Sequence, residues 1–147
     1  MGKYEVVVIA KGSEAGVKAA KKAASIAKQK NKRRIHLVFV NDVDFYSGEG
    51  MGYVREDMAK SLENIGDAIM RKLEHAIKEE HQDVEIERIE LHGKTAEEIL
   101  KFLNENDIEI LIIPKEERGP IEKSLTRGDI EPFFNEIQQR VKCILVE

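Results

Sequence analysis

Tyr4 to Ala10 (Y-E-V-V-V-I-A) is an almost unbroken β-branched run, the pattern of a strand covered on both faces, as parallel sheets require. The period then changes. Val17, Ala20, Ala24 and Ala27 recur at helical spacing, while Lys18, Lys21, Lys22 and Lys28 fall mostly off that stripe. Ser13 suits the N-cap of this helix, and Asn31 lies near its end. Ile35 to Val40 (I-H-L-V-F-V) reads as the second strand. From Asn41 to Tyr53 the pattern is lost, and three glycines mark a long loop that could serve as a lid or contact surface. Val54, Met58, Leu62, Ile65, Ile69, Leu73 and Ala76 then step by three or four and predict a long helix.

Val84 to Leu91 (V-E-I-E-R-I-E-L) begins as strict alternation, so this third strand has one solvated face and belongs at a sheet edge. Gly93 breaks the chain, and Thr95 to Glu98 has capping-box spacing. Ile99, Leu100 and Leu103 form the apolar face of a short helix ending near Asn104 to Asn106. Ile110 to Ile113 is a buried strand stopped by Pro114, and Lys115 to Gly128 reads as a polar loop. Asp129 caps a last helix that tolerates Pro132 in its first turn, with Ile130, Phe133, Phe134, Ile137 and Val141 inside. Cys143 to Val146 closes the chain as a fifth strand. Strict alternation of strand and helix predicts an α/β fold: an open five-stranded parallel sheet with helices on both faces, joined by right-handed crossovers.

Composition narrows the function. A chain of 147 residues is read as a single domain, 1–147, with 41% apolar residues for a core and 35% charged residues for its surface. The net charge of −4 argues against a nucleic-acid partner, and no apolar run is long enough for a membrane span. The N-terminus runs at once into strand residues with no signal-peptide pattern, so the expected location is cytoplasmic. A lone Cys143 excludes an intramolecular disulfide and reads as a small buried hydrophobe. His36, His75, His81 and His92 show no metal-ligand spacing; His92, at the end of the third strand, is a polar turn residue or a site residue.

Ligands of open parallel sheets bind beyond the carboxyl ends of the strands, where strand order reverses. Two loops should flank that place: Lys11-Gly12-Ser13-Glu14-Ala15-Gly16, and Lys115 to Gly128. Neither contains a P-loop or G-x-G-x-x-G pattern. Their glycines either only make turns or let a phosphate approach a helix N-terminus closely. Lys11, Lys115, Arg118, Lys123 and Arg127 make both loops basic in an acidic protein, so ATP or another anion is a candidate ligand, with no cofactor required.

Four segments resemble the universal stress protein family: the opening strand with G-S-E-A-G-V-K-A-A-K-K-A (Gly12 to Ala23), L-V-F-V-N-D (Leu37 to Asp42), H-G-K-T-A-E-E-I-L (His92 to Leu100), and the ending I-E-I-L-I-I-P … R-G-D-I-E-P-F-F-N-E-I-Q-Q-R-V-K-C-I-L-V-E. The resemblance implies a Rossmann-like sheet ordered 3-2-1-4-5, of the adenine nucleotide alpha hydrolase-like type, with its crevice between strands one and four. It also implies a homodimer formed through the last strand, Cys143, Ile144, Leu145 and Val146. Many members resembling this one bind ATP through G-x2-G-x9-G-[ST]. With Gly128 as the third glycine, the first two positions hold Lys115 and Arg118, Gly119 is one residue out of register, and Asp129 replaces the hydroxyl residue. The strand-one aspartate position holds Lys11, and Val40 matches a backbone position beside adenine. Asp129 would repel a polyanion by roughly 4 kcal/mol at 4 Å, against about 8 kcal/mol for micromolar affinity.

Three functions follow. The first is a dimeric regulatory or stress-response module with an unseen protein client, which does not bind ATP in the usual family manner. The second is an adenine-nucleotide-binding member with a variant phosphate loop, capable at most of slow ATP hydrolysis. The third is a small α/β enzyme such as a hydrolase or flavoprotein subunit, disfavoured because no convergent acid, base and nucleophile stand out.

Overall fold

A computed structural model describes residues 3–42, 55–116 and 119–147. The elements are β1 (Lys3–Ile9), α1 (Glu14–Gln29), β2 (Arg34–Asn41), α2 (Arg55–Glu80), β3 (Glu85–His92), α3 (Thr95–Glu105), β4 (Asp107–Pro114), α4 (Pro120–Lys123), a 3-10 turn (Arg127–Asp129), α5 (Ile130–Arg140) and β5 (Lys142–Val146). The five strands form one parallel sheet in the order β3-β2-β1-β4-β5, as the sequence and its family resemblance imply. The central β1 pairs through Val7 with His36 and through Val8 with Ile112.

Central strands carry apolar residues on both faces because helices cover both. Val6, Val8, Ile35, Leu37 and Phe39 pack beneath α1 and α2; Val7, Ile9, Val38, Val40, Leu111 and Ile113 pack against Ile99, Phe102, Phe133, Phe134 and Ile137 of α3 and α5. Ala19, Ala20, Ala23, Ala24 and Ala27 are fully buried, so α1 lies close on the sheet. Its N-cap is Ser13, whose Oγ accepts the Gly16 N–H at 3.2 Å, and Asn31 at φ 58 takes the chain out of the helix. The alternating β3 is an edge strand, with its glutamates exposed.

Several local expectations are corrected. Among the described side chains of α2 the buried residues are Gly66, Met70, Leu73 and Ile77: Leu73 is inside as predicted and Ile69 packs half-buried against the core, but Ile65 is exposed. The cause is Gly66: a Cβ there would lie 2.8 Å from the Phe39 ring, so the helix turns its bare backbone inward and docks closely. Val54 lies outside the described residues, as do the side chains of Met58 and Leu62. Of the loop expected over Asn41–Tyr53, Asn41 ends β2 and the stretch 43–53 lies outside the described residues. Thr95 is the first helical residue rather than the cap; its hydroxyl donates to Asp42 instead of closing a capping box. The stretch read as a loop after Pro114 contains α4, begun by Pro120. Asp129 precedes α5 but makes no side-chain cap; its carboxylate accepts the Thr126 hydroxyl at 2.7 Å, and Val141 lies beyond the helix in extended backbone.

Candidate functional site

Strand order reverses between β1 and β4, so the connections leaving these strands part and open a crevice at the sheet's carboxyl edge. Lys11 follows the end of β1 and is 4% exposed there, its stem in the packed interior. Its ammonium lies 3.5 Å from Glu116 Oε2 and 3.8 Å from Glu122 Oε1. Glu122 is equally buried on α4, and its Oε2 accepts the Glu116 backbone N–H at 3.3 Å. Loss of hydration pulls the Lys11 pKa below its ordinary value, opposed by the attraction of Glu122 and then Glu116.

Gly119 lets this cluster close. A Cβ there would stand 2.5 Å from Lys11 Nζ, 2.7 Å from Glu116 Oε2 and 2.8 Å from Glu122 Oε1. The crevice between β1 and β4 is thus filled by one cation and two carboxylates of the chain itself.

The other expected site residues fall around this cluster. The Gly12 carbonyl accepts from Lys72 Nζ of α2 at 2.7 Å. Gly16, expected either to make a turn or to admit a phosphate, is a packing glycine: a Cβ there would lie 2.0 Å from the Lys11 carbonyl oxygen. Val40 is buried at the end of β2, and its carbonyl accepts the Asp42 N–H at 3.0 Å. Lys115 donates its backbone N–H to the Val146 carbonyl and holds its ammonium 5.5 Å from the Phe134 ring centroid. Gly128 has no atom within 4 Å of the place a Cβ would take, and beside it Asp129 is turned to Thr126. Arg118 lies outside the described residues.

A second anion-friendly position at this edge is also self-filled. Asp42 Oδ2 accepts both the Thr95 N–H, at 2.9 Å, and the Thr95 hydroxyl, at 2.7 Å, at the start of α3. Ser124 Oγ accepts the next N–H, that of Ala96, at 3.0 Å, and donates to the Ile121 carbonyl. Asp42, Glu116 and Glu122 are the site residues that sequence reasoning missed. Glutamates in a chain this charged read as solvated surface, and only the loop's return through α4 buries Glu122. A trace existed in Gly119-Pro120, which starts a helix and points Glu122 back toward β1. Among the described residues no group of three or more His, Cys, Asp or Glu side chains is arranged to hold a metal ion, and no helix is long and apolar enough to cross a membrane.

At the last strand, β5 pairs with β4 alone among the described residues; Cys143, Ile144, Leu145 and Val146 are half-buried, and burial pushes the Cys143 thiol up to about 11.

Comparison with known proteins agrees with this architecture. No curated protein matches the sequence. A universal stress protein from Archaeoglobus fulgidus is similar in structure over 100% of both chains, with a TM-score of 0.60 at 17% identity. A member of the universal stress protein family from Burkholderia pseudomallei matches 95% of this chain and 94% of its own, with a TM-score of 0.61 at 14% identity. A universal stress protein solved in complex with cAMP matches 97% of this chain and 93% of its own, with a TM-score of 0.60 at 15% identity. The sequence model of the universal stress protein family matches residues 3–130, and the chain belongs to that family.

Proposed function

We propose that this universal stress protein is a dimeric, cytoplasmic stress-response module that acts through a protein client and holds no ATP in the usual family manner. The observation that carries this reading is the Lys11–Glu116–Glu122 cluster, which fills the crevice between β1 and β4 with the chain's own charges. A triphosphate entering there would meet two carboxylates and displace a buried ammonium from both. Val40 adds to the reading, since its carbonyl already accepts a backbone N–H. The client works on a surface, so catalysis is not required of the site.

A second reading has one observation in its favour. Gly128 faces open space where packing demands no glycine, so backbone is left bare for a ligand phosphate. That reading makes the protein an adenine-nucleotide binder with a variant phosphate loop, and a cAMP complex exists for a protein of the same fold. Native mass spectrometry of the freshly purified protein separates the two. The first reading expects the bare polypeptide mass and no heat on titration with ATP or cAMP; stoichiometric nucleotide carried through purification establishes the second.

A further inference from the structure

We propose that Lys11 is the cation of a latent anion site, and that Glu116 and Glu122 are its built-in occupants, holding the crevice shut by competing in cis with a small oxyanion. The inference rests on the reading above, that the native crevice takes no nucleotide, and adds why: the site has a cation for an anion but supplies that anion itself.

The geometry supports a displaceable occupant rather than a tight structural pair. A close ammonium–carboxylate hydrogen bond runs about 2.7–2.9 Å. Lys11 instead has contacts of 3.5 and 3.8 Å, although it is 4% exposed. Glu122 Oε1 is buried with no hydrogen-bond partner, aimed at the same ammonium. The side chain of Glu116 is about a quarter exposed and can swing out, which Glu122 on α4 cannot do as freely. Two carboxylates face one ammonium in this cluster, so an external anion approaching Lys11 is repelled while both remain charged. The three charged tips crowd Gly119, where there is no side chain to block an oxyanion of phosphate size once a carboxylate leaves. The ligand class is therefore a small tetrahedral oxyanion, inorganic or at the end of a phosphomonoester.

The test is thermal unfolding in phosphate against chloride of equal ionic strength. The variant Glu116→Gln/Glu122→Gln removes both competing charges, and the side chain at position 116, about a quarter exposed, is then free to swing out and leave room for the oxyanion. Phosphate at about 20 mM is expected to raise its Tm by about 4 °C, with a shift under about 1 °C for the wild type, because binding to the folded state alone stabilises it. Adding Lys11→Met should abolish the response. A folded double variant indifferent to phosphate overturns the proposal, as does an equal response in the wild type or in the triple variant. Should the double variant fail to fold, Glu116→Gln alone carries the test: a smaller phosphate shift supports the competitor role, and no shift overturns it. Nucleotide on the purified wild type would sink the functional reading above; phosphate indifference of the charge-neutral variants, with a bare wild type, sinks only the latent site.

Discussion

Lys11 and Glu122 face each other at 3.8 Å across the mouth between β1 and β4, both with side chains at least 95% removed from water. They come from positions 11 and 122 of the chain, and only the adjacency of β1 and β4 brings them together. An ion pair in such a place costs hydration on both sides, so its worth lies in what happens when one member goes.

Lys11→Met leaves Glu122 buried without its cation and should destabilise the protein by about 3 kcal/mol, since removing one partner of a buried pair typically costs 3–5 kcal/mol. Pairing Lys11→Met with Glu122→Gln should recover at least about 1 kcal/mol of that loss, the size expected for coupled residues. Urea denaturation of the two single variants and the double variant measures it. Strict additivity would mean that the two side chains do not interact.

How far the sequence revealed this arrangement differs by scale. The β-branched runs at Tyr4–Ala10 and Ile110–Ile113, and the alanine stripe of α1, announce a parallel sheet because burial on both faces leaves a periodicity that local residues carry. Lys11, Gly119 and Gly128 were legible as candidates because they occupy the connections after β1 and β4. What the site contains was not. Lysines and arginines in those connections suggest a basic surface, whereas Glu116 and Glu122 neutralise Lys11 through a contact set by the path of α4, and no local pattern encodes that path. Ile65 was misplaced for a related reason: Gly66 adds nothing to hydrophobic periodicity, yet its approach to Phe39 turns that part of α2 so that Ile65 faces water.

The glycines of the two connections separate by substitution. Gly16→Ala puts a methyl 2.0 Å from the Lys11 carbonyl oxygen, within backbone that cannot yield, and should cost about 2 kcal/mol or more. Gly128→Ala meets open space and should be neutral or stabilising by up to about 1 kcal/mol, by restricting the unfolded chain. Calorimetric Tm values for both variants decide the matter, and a loss at Gly128 equal to that at Gly16 would contradict the geometry.

Assembly through β5 makes its own prediction. Among the described residues this strand has a neighbour on one side only, so its far-side N–H and C=O groups call for a partner, and a two-fold pairing satisfies both copies at once. Sedimentation equilibrium should return twice the 16.7 kDa of one chain. Leu145→Arg places like charges near the two-fold axis and should give a folded monomer by the same measurement. A wild type that sediments as one chain removes the dimer from the proposed function.

Acid should weaken the fold through His36. Burial on β2 is the main reason its imidazole titrates below the ordinary 6.5; Glu87 pulls the other way, as do the Val6 backbone and Glu5, while Arg34 adds to the lowering. Its folded pKa lies under its unfolded one, so between the two the unfolded chain holds more protons and stability rises with pH. The contribution of neutral His36 is therefore complete above pH 6.5, shrinks as pH falls toward the folded value, and changes no further below it. One proton limits the slope to about 1.4 kcal/mol per pH unit. Urea unfolding of the wild type at pH 7.5 and 5.5 should show this decline, and His36→Leu should flatten it, because the Tyr4 ring already packs edge-on against that buried position, 4.5 Å between ring centroids. A decline of equal size in His36→Leu would assign the acid sensitivity to other groups, Asp67 not among them: its carboxyl is held below 3.8 by hydrogen bonds from Arg88 and then Arg71, and that support is lost only at much lower pH.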